Sequence, residues 1–90
     1  MPSYLVETYL ARGRSDERAA LERRARSAAA ELTRGRTRVR FDRSIHVPDD
    51  EICFYVFDAS SAGDAAHAAR RAGLDPIRVV EAVSSGKEKA

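Results

Sequence analysis

Few side chains here carry chemistry of their own. One cysteine, Cys53, and two histidines, His46 and His67, are the soft or borderline donors. Imidazole and thiolate together suit nickel, copper or zinc. His46 and Cys53 flank Pro48-Asp49-Asp50-Glu51, a turn sequence in which proline sets its own φ and the aspartates bond locally. If strands enter and leave that turn, Val47 faces Ile52. Stepping outward sets His46 opposite Cys53, Ser44 opposite Tyr55 and Asp42 opposite Phe57. His46 and Cys53 then form half a metal site, which a two-fold partner or the carboxylates of Glu7 and Glu81 would complete. The plain alternative is a small apolar Cys53 and a surface His46 on an edge strand; His67 reads as an exposed helix position. Glu7 and Glu81 have two further readings: two carboxyls sharing a proton, or salt bridges to Arg40 or Arg78.

These residues need elements to position them. Ser3 to Leu10 alternates and is rich in β-branched and aromatic residues, which predicts a strand. After Gly13, Ser15 is the expected N-cap of a helix to Thr33, with Asp16 and Glu17 in its first turn. The apolar stripe is Leu21, Ala25, Ala28 and Leu32, and Gly35 suits a left-handed C-terminal position. Thr37 to Val47 alternates with Val39, Phe41, Ile45 and Val47 on one side, and Arg43 is the exception in that set. Ile52 to Asp58 is the most apolar strand and the expected centre. Ser60 or Ser61 caps a second helix to Ala72, with an Ala62, Ala65, Ala69, Ala72 stripe ended by Gly73, and Arg78 to Val83 is the last strand. The order βαββαβ is ferredoxin-like α+β: four antiparallel strands, the first and third central, both helices on one face. One domain is expected over residues 1–83, with a patternless tail at 84–90.

The other sheet face lacks a cover. If the apolar set of the second strand packs under the helices, the open face carries His46, Cys53, Asp42, Ser44, Tyr55 and Phe57. From the first and last strands it adds Leu5, Glu7, Tyr9, Val79, Glu81 and Val83. Such a patch exceeds what a monomer usually exposes, so a homodimer through the sheets is expected, enclosing a polar pocket.

Composition narrows the classes. Of 90 residues 43% are hydrophobic, but 16 are alanine, so large core side chains are few. No apolar run reaches the ~20 residues of a membrane span. Met1 to Leu10 lacks a secretory pattern and Cys53 has no partner cysteine, which points to the cytoplasm. Residues 1–43 hold 11 arginines and six acids, a net +5, whereas 44–90 hold five cations and eight acids, −3. The arginines Arg12, Arg14, Arg34, Arg36, Arg38 and Arg40 come with no recognition-helix or aromatic-basic pattern, which argues against nucleic acid. No nucleophile-base pair, phosphate loop or His-Glu metal motif occurs, so no catalytic residue is assigned.

The segments Tyr4-Leu5-Val6-Glu7, Val47-Pro48-Asp49-Asp50-Glu51 with Cys53-Phe54, Arg70-Arg71-Ala72-Gly73-Leu74 and Arg78-Val79-Val80-Glu81-Ala82-Val83 resemble a family of small bacterial proteins. That family is common in actinobacteria and filed as a domain of unknown function, and some members are described as nickel-binding. The resemblance implies a ferredoxin-like fold, a dimer and, less directly, nickel. It departs at His67, since similar proteins often carry a histidine nearer Arg70-Arg71-Ala72-Gly73. The combined expectation is a homodimer binding nickel or another divalent transition metal through His46, Cys53, Glu7 and Glu81. The alternative is a dimeric α+β-barrel pocket protein or small monooxygenase- or isomerase-like enzyme acting on an organic ligand without metal.

Overall fold

A computed structural model describes residues 1–84, and the expected tail beyond Ser84 lies outside the described residues. The elements are β1 (Ser3–Tyr9), α1 (Arg18–Arg34), β2 (Val39–Val47), β3 (Ile52–Ala59), α2 (Ala62–Arg71) and β4 (Arg78–Ala82), with 3-10 turns at Arg12–Glu17 and Pro48–Asp50. The strands pair antiparallel in the order β2-β3-β1-β4. This is the ferredoxin-like arrangement expected, with both helices packed on one sheet face.

Local chemistry accounts for the helix ends, with two corrections. The Ser61 hydroxyl accepts the Asp64 N–H at 3.1 Å and caps α2, whose first turn also holds the Asp64 carboxylate. Ser15 does not cap α1: its hydroxyl donates to the Arg12 carbonyl at 2.9 Å within the preceding 3-10 turn. Both helices end in paired backbone bonds closing over a left-handed residue. In α2 that residue is Gly73, φ 80°. In α1 it is Arg36, φ 77°, rather than Gly35, whose φ is −85°. Thr37 N–H reaches Leu32 O and Arg36 N–H reaches Thr33 O, so the closing geometry fixes the strained position one residue later than the glycine.

The core between helices and sheet pairs small with large. Ala25, Ala28, Ala29 and Leu32 of α1 and Ala65, Ala68 and Ala69 of α2 are buried, with Ala72 just beyond. Alanine lets the helices approach closely but fills little volume, so sheet side chains fill it. Tyr55 and Phe57 are 0% exposed, and the Phe41 ring meets Phe57 edge-on at 5.5 Å between centroids. Cys53, Tyr55 and Phe57 therefore face the helices, a correction to their expected place on the open face.

The misplacement originates in β2. His46 lies opposite Cys53 and Ser44 opposite Tyr55 as the turn predicts, and Arg43 opposite Val56. Phe41 then lies opposite Phe57, which leaves Asp42 as an extra residue, a β-bulge, instead of the partner of Phe57. Each such insertion reverses the alternation. Val39 and Phe41 point to the helices, as do Ser44 and His46, whereas Ile45 and Val47 fall on the opposite side. On β4, Val79 lies opposite Val6 and Glu81 opposite Tyr4, both on the helix side, so neither belongs to the open face. Val83 lies past the end of β4 and is exposed.

Two unfolding experiments follow. Phe57→Ala should cost about 3–5 kcal/mol in urea denaturation and Phe54→Ala, on the uncovered side, less than half as much. Arg36→Gly should stabilise the protein by about 1 kcal/mol, because glycine adopts the left-handed conformation without a Cβ penalty.

Candidate functional site

The polar side chains gathered on the helix side of β2 and β3 form one cluster. Arg18, at the start of α1, donates from Nε to the Ser44 hydroxyl at 2.8 Å and from Nη2 to the Ser44 carbonyl at 3.0 Å. Ser44 in turn donates to the Glu22 carboxylate, one helical turn beyond Arg18. Asp42 shifts the strand by one residue and thereby places Ser44, His46, Cys53 and Tyr55 beneath this ion-bearing face of α1. Thr8 of β1 closes the cluster, donating to the Cys53 carbonyl at 2.8 Å.

Cys53 sits at the centre of this group and has no disulfide partner. Burial pushes its thiol above the ordinary range, and the Tyr55 hydroxyl and Arg18 only partly offset that. Burial likewise raises the Tyr55 phenol, helped by the adjacent Cys53, so at neutral pH both groups carry their protons. Among the described residues two buried side-chain atoms lack a well-formed hydrogen bond: His46 Nε2, and Tyr55 Oη, whose one polar neighbour is the Cys53 sulfur. They belong to the residues on either side of Cys53, one across the ladder and one two positions along the strand. A buried polar atom left without a partner costs ~1–3 kcal/mol, so His46 Nε2 has bonding capacity that a water or a ligand beside the thiol would meet.

Of the expected ligand set, His46 and Cys53 are thus brought together, on the helix side instead of the open side. Glu7 and Glu81 are not. Glu7 lies on the open face and accepts from Arg78 Nε at 3.2 Å, the salt bridge foreseen as its alternative role, while Glu81 points to the helix side and is exposed. Their shared-proton reading fails for the same reason: neighbouring strands hold them on opposite faces. His67 is exposed on α2. Among the described residues no three of His, Cys, Asp and Glu converge as metal ligands.

A cleft of about 270 Å³ adjoins the cluster between β1, the 3-10 turn and the segment after α2. Thr8, Leu21, Tyr55 and Leu74 line it, and the Arg14–Glu17 ion pair stands at its edge with Nη2–Oε1 at 2.7 Å. Neither Arg14 nor Glu17 stood out in the sequence as a site residue, since each reads as helix-entry surface.

The open face holds Leu5, Glu7 and Tyr9 of β1 as expected, together with Ile45, Val47, Ile52, Phe54, Val56 and Val80. Ile45 is 40% and Tyr9 61% exposed, while Val56 is buried yet outside the helix-side core. Ion pairs of mixed sign border it: Glu7–Arg78, Arg40–Asp58 and Asp42–Arg43.

The fold and the register define a small ferredoxin-like α+β chain. No family model matches it, and no curated protein does. Among solved structures it is similar to SCO4226 from Streptomyces coelicolor A3(2), known from a crystal structure analysis. The TM-score is 0.67, with 16% identity over 93% of this chain and 99% of that one. At that identity the likeness carries the fold alone. No helix among the described residues is long and apolar enough to cross a membrane.

Asp58 links the face border to stability. Its burial opposes ionisation, but hydrogen bonds from Ser3 Oγ at 2.7 Å and from Arg40 outweigh that and hold the carboxyl below its ordinary range. Depression in the folded state adds stability above the ordinary carboxylate pKa, and that stability is lost as pH falls through the depressed value. Asp58→Asn should therefore be less stable at pH 7, and urea midpoints taken from about pH 5 to pH 2 should fall less steeply than those of wild type.

Proposed function

We propose that the protein binds a divalent transition metal at His46 and Cys53 and acts as a homodimer rather than as an enzyme. The observation that carries this reading is the unpartnered His46 Nε2, a nitrogen donor held beside a thiol on the adjoining strand. Nitrogen and sulfur suit nickel, copper or zinc, and the family resemblance puts nickel first. His46 and Cys53 would hold the ion, with Tyr55 beside them, and solvent or a second molecule would take the other positions. A bound metal would supply charge that favours the thiolate over the thiol.

The dimer is supported by the open face. Its apolar middle has no covering layer among the described residues, and the charges at its borders are paired within the chain, so no uncompensated like charge opposes a second copy related by a two-fold axis. The cleft beside Tyr55 favours a second reading, a pocket for a neutral organic ligand with an acceptor for the Tyr55 phenol.

Titration calorimetry with Ni²⁺ on protein lacking a histidine tag decides between them. His46→Ala should abolish binding, and unchanged binding in that variant removes the metal reading. Because burial keeps the Cys53 thiol protonated, binding must release its proton, so affinity should rise with pH and the heat should depend on the buffer's ionisation enthalpy. For the dimer, light scattering of Phe54→Arg should give half the wild-type mass. A monomeric wild type at micromolar concentration would exclude it.

A further inference from the structure

The C-terminal half of α1 and the first residues of β2 border an open groove of about 690 Å³ that shares no lining residue with the Cys53 cluster. Its floor is apolar: Ala29 and Ala30 from the helix, Val39 and Phe41 from the strand. Alanine on the helix leaves the space that a leucine would fill. The Thr33 hydroxyl, also on the wall, is already used, donating to the Val39 carbonyl at 2.8 Å and accepting the Val39 N–H at 3.3 Å.

The rim is cationic. Arg26, Arg34, Arg38 and Arg40 line the groove, and no carboxylate does. Arg40 is held by Asp58, whereas Arg26, Arg34 and Arg38 enter no ion pair among the described residues. Arg26 lies over the Phe41 ring, 5.1 Å from its centroid, which leaves its guanidinium edge free to donate. Glu31, the nearest acid on the helix, is bound by Arg71 of α2 at 2.8 Å.

We propose that this groove binds a small amphiphilic anion, its apolar body on the Ala29, Ala30 and Phe41 floor and its carboxylate or phosphate between Arg34 and Arg38. Guanidinium groups match both headgroups through paired hydrogen bonds, and the volume falls in the range of small-molecule sites. An extended acidic peptide fits less well. Although β2 is an edge strand, the Asp42 bulge interrupts its ladder, and Arg40 and Arg43 line it with charge. The proposal is independent of the metal reading, since no residue is shared.

The test is calorimetric titration of the full chain with decanoate and with decyl phosphate below their micelle concentrations. Decanol, decyltrimethylammonium and a Glu-rich peptide serve as comparisons. Either anion should bind at least about tenfold more tightly than decanol, the effect of one charge-assisted hydrogen bond, and the preferred headgroup identifies the source. Arg34→Glu/Arg38→Glu should weaken binding by at least about tenfold. The charge-matched Arg23→Glu/Arg70→Glu, at exposed positions that do not line the groove, should change it less than about twofold, with circular dichroism confirming that both variants fold. Equal binding of decanol or of the cationic amphiphile, equal loss in both variants, no binding of either anion, or binding of the peptide alone would each overturn the proposal.

Discussion

The extra residue in β2 governs what each side of the sheet carries. With Asp42 bulged out, the strand turns Phe41 toward the helices and then, three residues later instead of two, Ser44 and after it His46 toward the same layer. A regular strand would bury Ile45 and Val47 there instead and would send the imidazole into solvent on the far side. The bulge therefore trades two branched aliphatic residues for a serine and a histidine in the helix-facing layer. That exchange is tolerable because α1 meets them with Arg18 and Glu22, which satisfy Ser44 at its hydroxyl and its carbonyl. The aliphatic pair moved to the other side supplies the apolar middle of the open face. Both candidate features, the polar cluster and the uncovered face, follow from one inserted residue.

Much of the architecture was legible in the chain itself. Strand and helix order, the strand arrangement, the Ser61 cap and the terminating Gly73 follow from alternation, capping chemistry and backbone freedom, all local properties. The pairing across the Pro48 turn was legible from turn length alone and holds as far as Arg43. The facing of the sheet was not. β3 is apolar on both sides, so its pattern chooses neither, and the choice rested on β2, where a single insertion inverts the answer. Arg43 was the available signal, a charge standing in an apolar set because the alternation had slipped just before it.

The site divides along the same line. That His46 and Cys53 are neighbours is a matter of register near the turn, and it was readable. That they are enclosed by Arg18, Glu22 and Tyr55 depends on how α1 lies across the sheet, which no short-range pattern specifies. Glu7 and Glu81 looked equivalent because both sit on neighbouring strands, the one central and the other at the edge. The pairing of β1 with β4 decides their sides, and those strands are separated by most of the chain.

The alanine stripes hold the two helices close, and the ties between them come from long side chains at the edges. Arg24 of α1 donates to the Ala72 carbonyl at 2.8 Å, packing over Gly73, while Arg71 of α2 reaches back to Glu31. Each helix thus sends one arm to the other, and both ties meet at the C-terminal end of α2, two turns apart along α1. The helix layer is thin and fastened at one end, with almost no slack for added volume at Ala28 or Ala68, both of them buried. A larger side chain at either alanine would therefore have to lift a helix off the sheet, and the end of α2 tied to Arg24 and Glu31 is where that lifting meets the most resistance.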